Sequence, residues 1–102
     1  MNIAKLMKQA QRMQSEVTRV QQEVNQLEKS YSVGGGAVQV VARGDGTVKS
    51  VKISKDVVAA GDTESLEDMV LTAVNGALEE VKKEAGARMN AVTAGLNIPG
   101  MM

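Results

Sequence analysis

The chain has 102 residues with 12 basic and 12 acidic side chains, no histidine, no cysteine and a single aromatic, Tyr31. These absences exclude disulfides and thiolate metal sites, and they argue against an enzyme, a bound cofactor or a small-molecule substrate, because histidine and aromatic-lined pockets carry much of that chemistry. The length fits one domain over residues 1–102, no apolar run approaches the roughly 20 residues of a bilayer span, and no signal-peptide h-region opens the chain, so a cytoplasmic protein without a membrane partner is expected.

The first expected element is a helix over about residues 2–29. Ile3, Leu6, Ala10, Met13, Val17, Val20, Val24 and Leu27 recur at alternating spacings of three and four, which is an unbroken heptad seam. Three uses of such a helix are open: a self-pairing coiled coil, a membrane-surface anchor, or an arm that touches nucleic acid. The e and g positions offer almost no complementary charges, which favours packing on another helix of the same protein over a dedicated zipper. The apolar side is narrow and lacks aromatic anchors, which disfavours a membrane surface.

The charges form a second stripe on that helix. Lys5, Lys8, Arg12 and Arg19 fall on the c and f positions, away from the seam. Residues 1–22 carry four basic side chains against Glu16 alone, a balance of +3, whereas residues 61–102 carry seven acidic and three basic side chains, a balance of −4. Overall neutrality therefore conceals a polarised chain.

Next the hydrophobic period changes from three and a half to two. Val38, Val40 and Ala42 alternate with Gln39, Val41 and Arg43, and Val51 and Ile53 alternate with Ser50, Lys52 and Ser54, around a Gly44-Asp45-Gly46 turn. Strands are expected at about 30–34, 37–43 and 47–54, forming a three-stranded antiparallel meander. The Gly34-Gly35-Gly36 run leads into a strand rather than a helix N-terminus and has no following Lys-Ser/Thr, so it reads as a tight turn and not as a phosphate cradle.

After a short turn or one-turn helix at Lys55–Asp62, a second long helix is expected over about 63–92. Asp62 is the expected N-cap, and Leu66, Met69, Val70, Ala73, Val74, Ala77, Leu78, Val81, Ala85, Met89 and Val92 maintain the stripe. Asn75-Gly76 interrupts nothing in phase and is read as helix with a close packing contact. Residues 93–102, with the only proline and two methionines at the end, are expected to form a flexible tail. The fold class is thus α+β: long helix, meander, long helix. Strands of about six residues span only about 20 Å, so parts of both helices must project. Val38, Val40, Val51, Ile53, Leu66 and Val70 are the expected core and dimer-interface residues, since a symmetric homodimer would help bury the apolar surface of so small a chain.

The segments NIAKLMKQAQRMQ, GGGAVQVVARGDGTVKSVKI and ESLEDMVLTAVNGAL, followed by a Gly/Pro/Met tail, together resemble the YbaB/EbfC family of bacterial nucleoid-associated proteins. The resemblance covers essentially the whole chain. It implies a tweezer-like homodimer with projecting helices, double-stranded DNA as the partner, and a nucleoid location. It also implicates the projecting ends of both helices. Charge and periodicity there select Lys5, Lys8, Arg12 and Arg19 from the first helix and Lys82, Lys83 and Arg88 from the second. Glu79, Glu80 and Glu84 weaken the second group. The expected function is phosphate-mediated duplex binding of low sequence specificity that bends, bridges or compacts DNA and influences transcription or repair. The competing class is a non-catalytic protein-interaction scaffold using the apolar helices and tail.

Overall fold

The computed structural model of the protein describes residues 2–95. Three helices and one sheet follow in the order α1 (Ile3–Gln26), β1 (Glu28–Val33), β2 (Val38–Arg43), β3 (Val48–Ile53), α2 (Lys55–Ala59) and α3 (Thr63–Gly95). The molecule is a rod of 71 × 22 × 16 Å.

Each helix starts where a side chain satisfies an unpaired backbone donor. The Asn2 side-chain oxygen accepts from the Lys5 amide at 3.2 Å, Ser54 Oγ from the Val57 amide at 3.3 Å, and Asp62 Oδ1 from the Ser65 amide at 3.1 Å. The last confirms Asp62 as the cap of α3.

The sheet has the order β1-β2-β3, all antiparallel, with Val38 opposite Ile53 and Val40 opposite Val51. The glycine run between β1 and β2 is a turn, with Gly34, Gly35 and Gly36 at φ +61°, +67° and +95°, a region that L side chains rarely occupy. A bulge in the β2–β3 pairing sets Ala42 opposite Val48 while Val41 faces Ser50, leaving Lys49 as the extra residue. Val48, Val51 and Ile53 consequently share the face that carries Val38, Val40 and Ala42.

That face packs on α3. Val38, Val40, Ala42, Ala73, Ala77 and Val81 form the buried core, with Leu66, Met69, Val70, Val74 and Leu78 packed against it. Each buried valine contributes about 1.5–3 kcal/mol relative to an exposed one. Alanines at 73 and 77 let the helix lie close on β2, and Gly76 meets Tyr31 of β1 so tightly that a Cβ there would stand 2.5 Å from two ring carbons. The helix passes through Asn75-Gly76 without interruption.

Contacts along α3 run in the reverse order of β1 and α1. A Cβ on Gly34 would touch the Met69 sulfur, Gly76 meets Tyr31, Glu84 lies 3.9 Å from Lys29, and Arg88 shares a hollow with Arg19, Gln22, Glu23 and Gln26. After crossing the sheet, α3 therefore runs back alongside α1, antiparallel to it.

Three expected boundaries are corrected. The first helix ends at Gln26 rather than 29, because Leu27 turns extended (φ −62°, ψ 139°) and its carbonyl accepts from the Gly44 amide at 2.8 Å, while Glu28 and Lys29 pair with Arg43 and Ala42. The first strand accordingly begins at Glu28, two residues earlier than expected. The last helix continues to Gly95, so residues 93–95 of the expected flexible tail are helical. Residues 96–102 of that tail lie outside the described residues.

Candidate nucleic-acid interface

α1 emerges from the sheet end and soon outruns its support. Only Val20 and Val24 of its seam are buried, Leu27 is half-buried, and Ile3, Leu6, Met13 and Val17 are exposed. The two-helix arm expected from the seam thus exists at the root of α1, and its first half projects beyond it.

Gly44 fixes that root. A Cβ there would overlap the Val24 carbonyl, so glycine lets the β2–β3 turn reach the end of α1 and donate to Leu27. On the same side, Glu28 accepts from Lys49 Nζ at 2.9 and 3.0 Å and lies 3.7 Å from Arg43. The Lys49 hydrogen bond, aided by Arg43, holds the Glu28 carboxyl below its usual range.

The projecting part carries the basic stripe. Lys5, Lys8 and Arg12 are exposed, and among the described residues none of them pairs with a carboxylate. They lie opposite the seam on the helix wheel, spaced three and four residues apart, a run of about 10 Å.

Arg19 is placed differently. Its guanidinium bonds Glu16 at 2.8 Å and Glu23 at 2.6 Å, so two carboxylates already surround its charge. The bond to Arg19 lowers the Glu16 pKa, and the bond to Glu16 raises that of Arg19. The spacing of three and four residues around Arg19 is legible in the sequence and signals this engagement.

The second basic group does not join the first. Lys82 and Lys83 follow core residue Val81 and share a shallow hollow with Glu79 and Glu80, while Arg88 lies 3.9 Å from Glu84. Since Glu84 faces Lys29 and Arg88 shares a hollow with Arg19 and Gln22, α1 separates Lys82 and Lys83 from Lys5 by roughly 30 Å and Arg88 by roughly 20–25 Å at 1.5 Å per residue. Glu79, Glu80 and Glu84 stand among these cations, as their sequence proximity suggested.

Of the other residues singled out, Val38 and Val40 are wholly buried, and Leu66 and Val70 pack on the core. Val51 and Ile53, on the same sheet face, remain 44% and 40% exposed because α3 covers β1 and β2 but not β3.

Among the described residues, no helix is long and apolar enough to cross a membrane, and no group of three or more acidic, histidine or cysteine side chains could hold a metal. The chain is an elongated α+β protein in which, among the described residues, Lys5, Lys8 and Arg12 stand without carboxylate partners on the projecting part of α1, as do Lys52, Lys55, Lys82 and Lys83 elsewhere on the surface. Residues 1–96 match the family model described as the YbaB/EbfC DNA-binding family, and the chain belongs to that family.

Among curated relatives, a nucleoid-associated protein of Clostridium novyi is 46% identical over 101 residues, covering 99% of this chain and 89% of the relative. One from Thermoanaerobacter pseudethanolicus is 44% identical over 100 residues, covering 98% and 90%. Another, from Clostridium kluyveri, is also 44% identical over 100 residues, covering 98% and 88%. The crystal structure of an uncharacterized protein from Helicobacter pylori superposes with a TM-score of 0.71 at 21% identity, covering 95% of this chain and 99% of that one, which supports the fold.

Proposed function

We propose that this protein is a nucleoid-associated protein that binds duplex DNA as a homodimer, through phosphate contacts made by the projecting half of α1. The observation that carries this reading is the stripe of Lys5, Lys8 and Arg12, exposed and, among the described residues, free of carboxylate partners at the far end of a 71 Å rod. Family membership and the relatives' names support DNA as the partner and the nucleoid as the location.

The apolar surface left by one chain supports the dimer. Val48, Val51 and Ile53 extend the core face beyond α3, and Leu71 on α3 is 61% exposed. A two-fold pairing that lays β3 of one copy against α3 of the other buries both sets at once, and self-complementary contacts of this kind close as a dimer. Two arms then present six cations. Flexible cations on a helix surface neutralise phosphates and release counterions without reading base edges, so sequence preference is low. Tyr31, the lone aromatic, packs against Gly76, which favours duplex over single strands that bind by stacking. Arms gripping separate stretches of duplex would bend or bridge it, with consequences for compaction, transcription or repair. Lys82, Lys83, Arg88 and Arg19 are secondary contacts at most, given the carboxylates beside them.

The test is charge reversal of Lys5, Lys8 and Arg12 to glutamate, with the dimer verified by sedimentation, followed by duplex affinity across a salt series. Six phosphate contacts correspond to a log–log salt slope of about −5. The expected result is loss of most of that slope together with affinity. An unchanged slope would refute the role of the tip, and no duplex binding by the unaltered protein at low salt would favour the scaffold reading.

A further inference from the structure

The heptad seam of α1 is buried at its root and open at its tip. Val20 and Val24 are buried, whereas Ile3 is 70% exposed, Leu6 48%, Met13 37% and Met7, flanking the seam, 58%. An amphipathic helix in water draws most of its stability from covering such a stripe.

We infer that the tip seam pairs antiparallel with the tip seam of a second copy. The pattern of the seam selects this occupant. Antiparallel heptads set each a position against a d position of the other helix. When two tips overlap over residues 3–13, Ile3 faces Met13 of the second copy and Leu6 faces its Ala10, a large side chain against a small one. In a parallel pair Ala10 would face Ala10 and leave a gap between the Leu6 and Met13 layers. The flanking positions agree: antiparallel pairing sets Met7 beside Met7 and Gln9 beside Gln9, so no charge at the e and g positions opposes it. The tip is also the free end of a 71 Å rod. Two rods can therefore overlap end to end for about 15 Å while their sheets stay far apart.

Four partly exposed side chains on each arm make a patch well short of the roughly 1,200 Å² of a standing complex, so free arms pair weakly. Lys5, Lys8 and Arg12 lie on the opposite side of each helix and repel their counterparts. The functional consequence rests on the proposed duplex reading. Phosphates relieve that repulsion and hold two tips close, while joined tips present six cations to one stretch of duplex, so pairing and binding strengthen each other. The contact has its own two-fold axis, apart from the pairing proposed at β3 and α3, and so joins dimers end to end along DNA.

The chain has no cysteine, so introduced cysteines report the register. Under mild oxidation with a short duplex at low salt, a mixture of Leu6→Cys and Ala10→Cys proteins should cross-link between chains faster than either alone. Lys8→Cys, on the cation side, should stay largely reduced. No interchain product, equal rates for Lys8→Cys and the mixture, or fastest cross-linking by Leu6→Cys alone would overturn the inference. Duplex binding by the unaltered protein should be cooperative, and Leu6→Ser should bring the Hill coefficient to about 1 with the salt slope unchanged. Equal cooperativity in both proteins would equally overturn it. Absence of duplex binding by the unaltered protein would refute the duplex reading instead, and the same cross-linking preference is then expected without DNA at raised salt, which screens the cations.

Discussion

Two glycines on one helix should respond to the same substitution with opposite signs. Gly76 and Gly86 both lie within α3, and replacing either by alanine gains about 0.8–1.0 kcal/mol of helix propensity. Around Gly86 a Cβ meets nothing within 4 Å, so Gly86→Ala should stabilise by about that amount. At Gly76 the same Cβ would stand 2.5 Å from two Tyr31 ring carbons and 2.8 Å from a third, the one nearest the Tyr31 backbone. The ring cannot swing clear without moving β1 or leaving its site, and overpacking of this kind costs about 1–3 kcal/mol. The net result for Gly76→Ala is a protein between about neutral and 2 kcal/mol less stable, separated from Gly86→Ala by about 1–3 kcal/mol. Urea unfolding followed by far-UV circular dichroism, at one fixed protein concentration, measures both. In a Tyr31→Ala background the penalty at position 76 should disappear. A Gly76→Ala protein as stabilised as Gly86→Ala would refute the packing of α3 on β1.

Two further perturbations probe the arm root and the dimer. The Glu28 carboxyl, lowered below 4.5 chiefly by Lys49, adds stability that is fully present above that unfolded-state value and is lost as pH falls through its lower folded-state value. Glu28→Gln should therefore be less stable than the parent near neutrality and should lose less stability on acidification, a difference read from urea midpoints between pH 3 and 7. Identical pH profiles would contradict the ion-pair assignment. Val51 is 44% exposed in the single chain, so Val51→Glu should leave the protomer folded while dissociating the proposed dimer, as sedimentation would report. A dimer of parental affinity would place the interface elsewhere.

Much of this architecture is written in local patterns. The helix of α1, the strands β2 and β3 with the alternating burial of β2, the Asp62 cap and the close contact at Gly76 all follow from spacing and residue type, and the structure bears them out. What was not legible depends on partners distant in sequence. Leu27, Glu28 and Lys29 continue a helical pattern, yet Gly44 and β2 claim them for the sheet, because pairing with residues 42–44 satisfies their backbone groups. The seam predicts an apolar partner but not that α3 supplies it only at Val20 and Val24. The bulge that sets Val48 and Val51 on one face leaves no trace in simple alternation.

The basic residues divide in the same way. Periodicity alone puts Lys5, Lys8, Arg12 and Arg19 on one stripe. Neutralisation of Arg19 by Glu16 and Glu23 was available from the i,i+3 and i,i+4 rule, whereas the pairing of Glu84 with Lys29 required the fold.

If duplex DNA meets the projecting tip of α1, amide resonances of the isotope-labelled protein, followed through a titration with a short random-sequence duplex at low salt, will report it residue by residue. The largest shifts are expected over Lys5–Arg12, reversed by added salt, with little change over β2 and the first turns of α3. Shifts centred on the sheet or on the acidic start of α3, with Lys5–Arg12 unmoved, would contradict it.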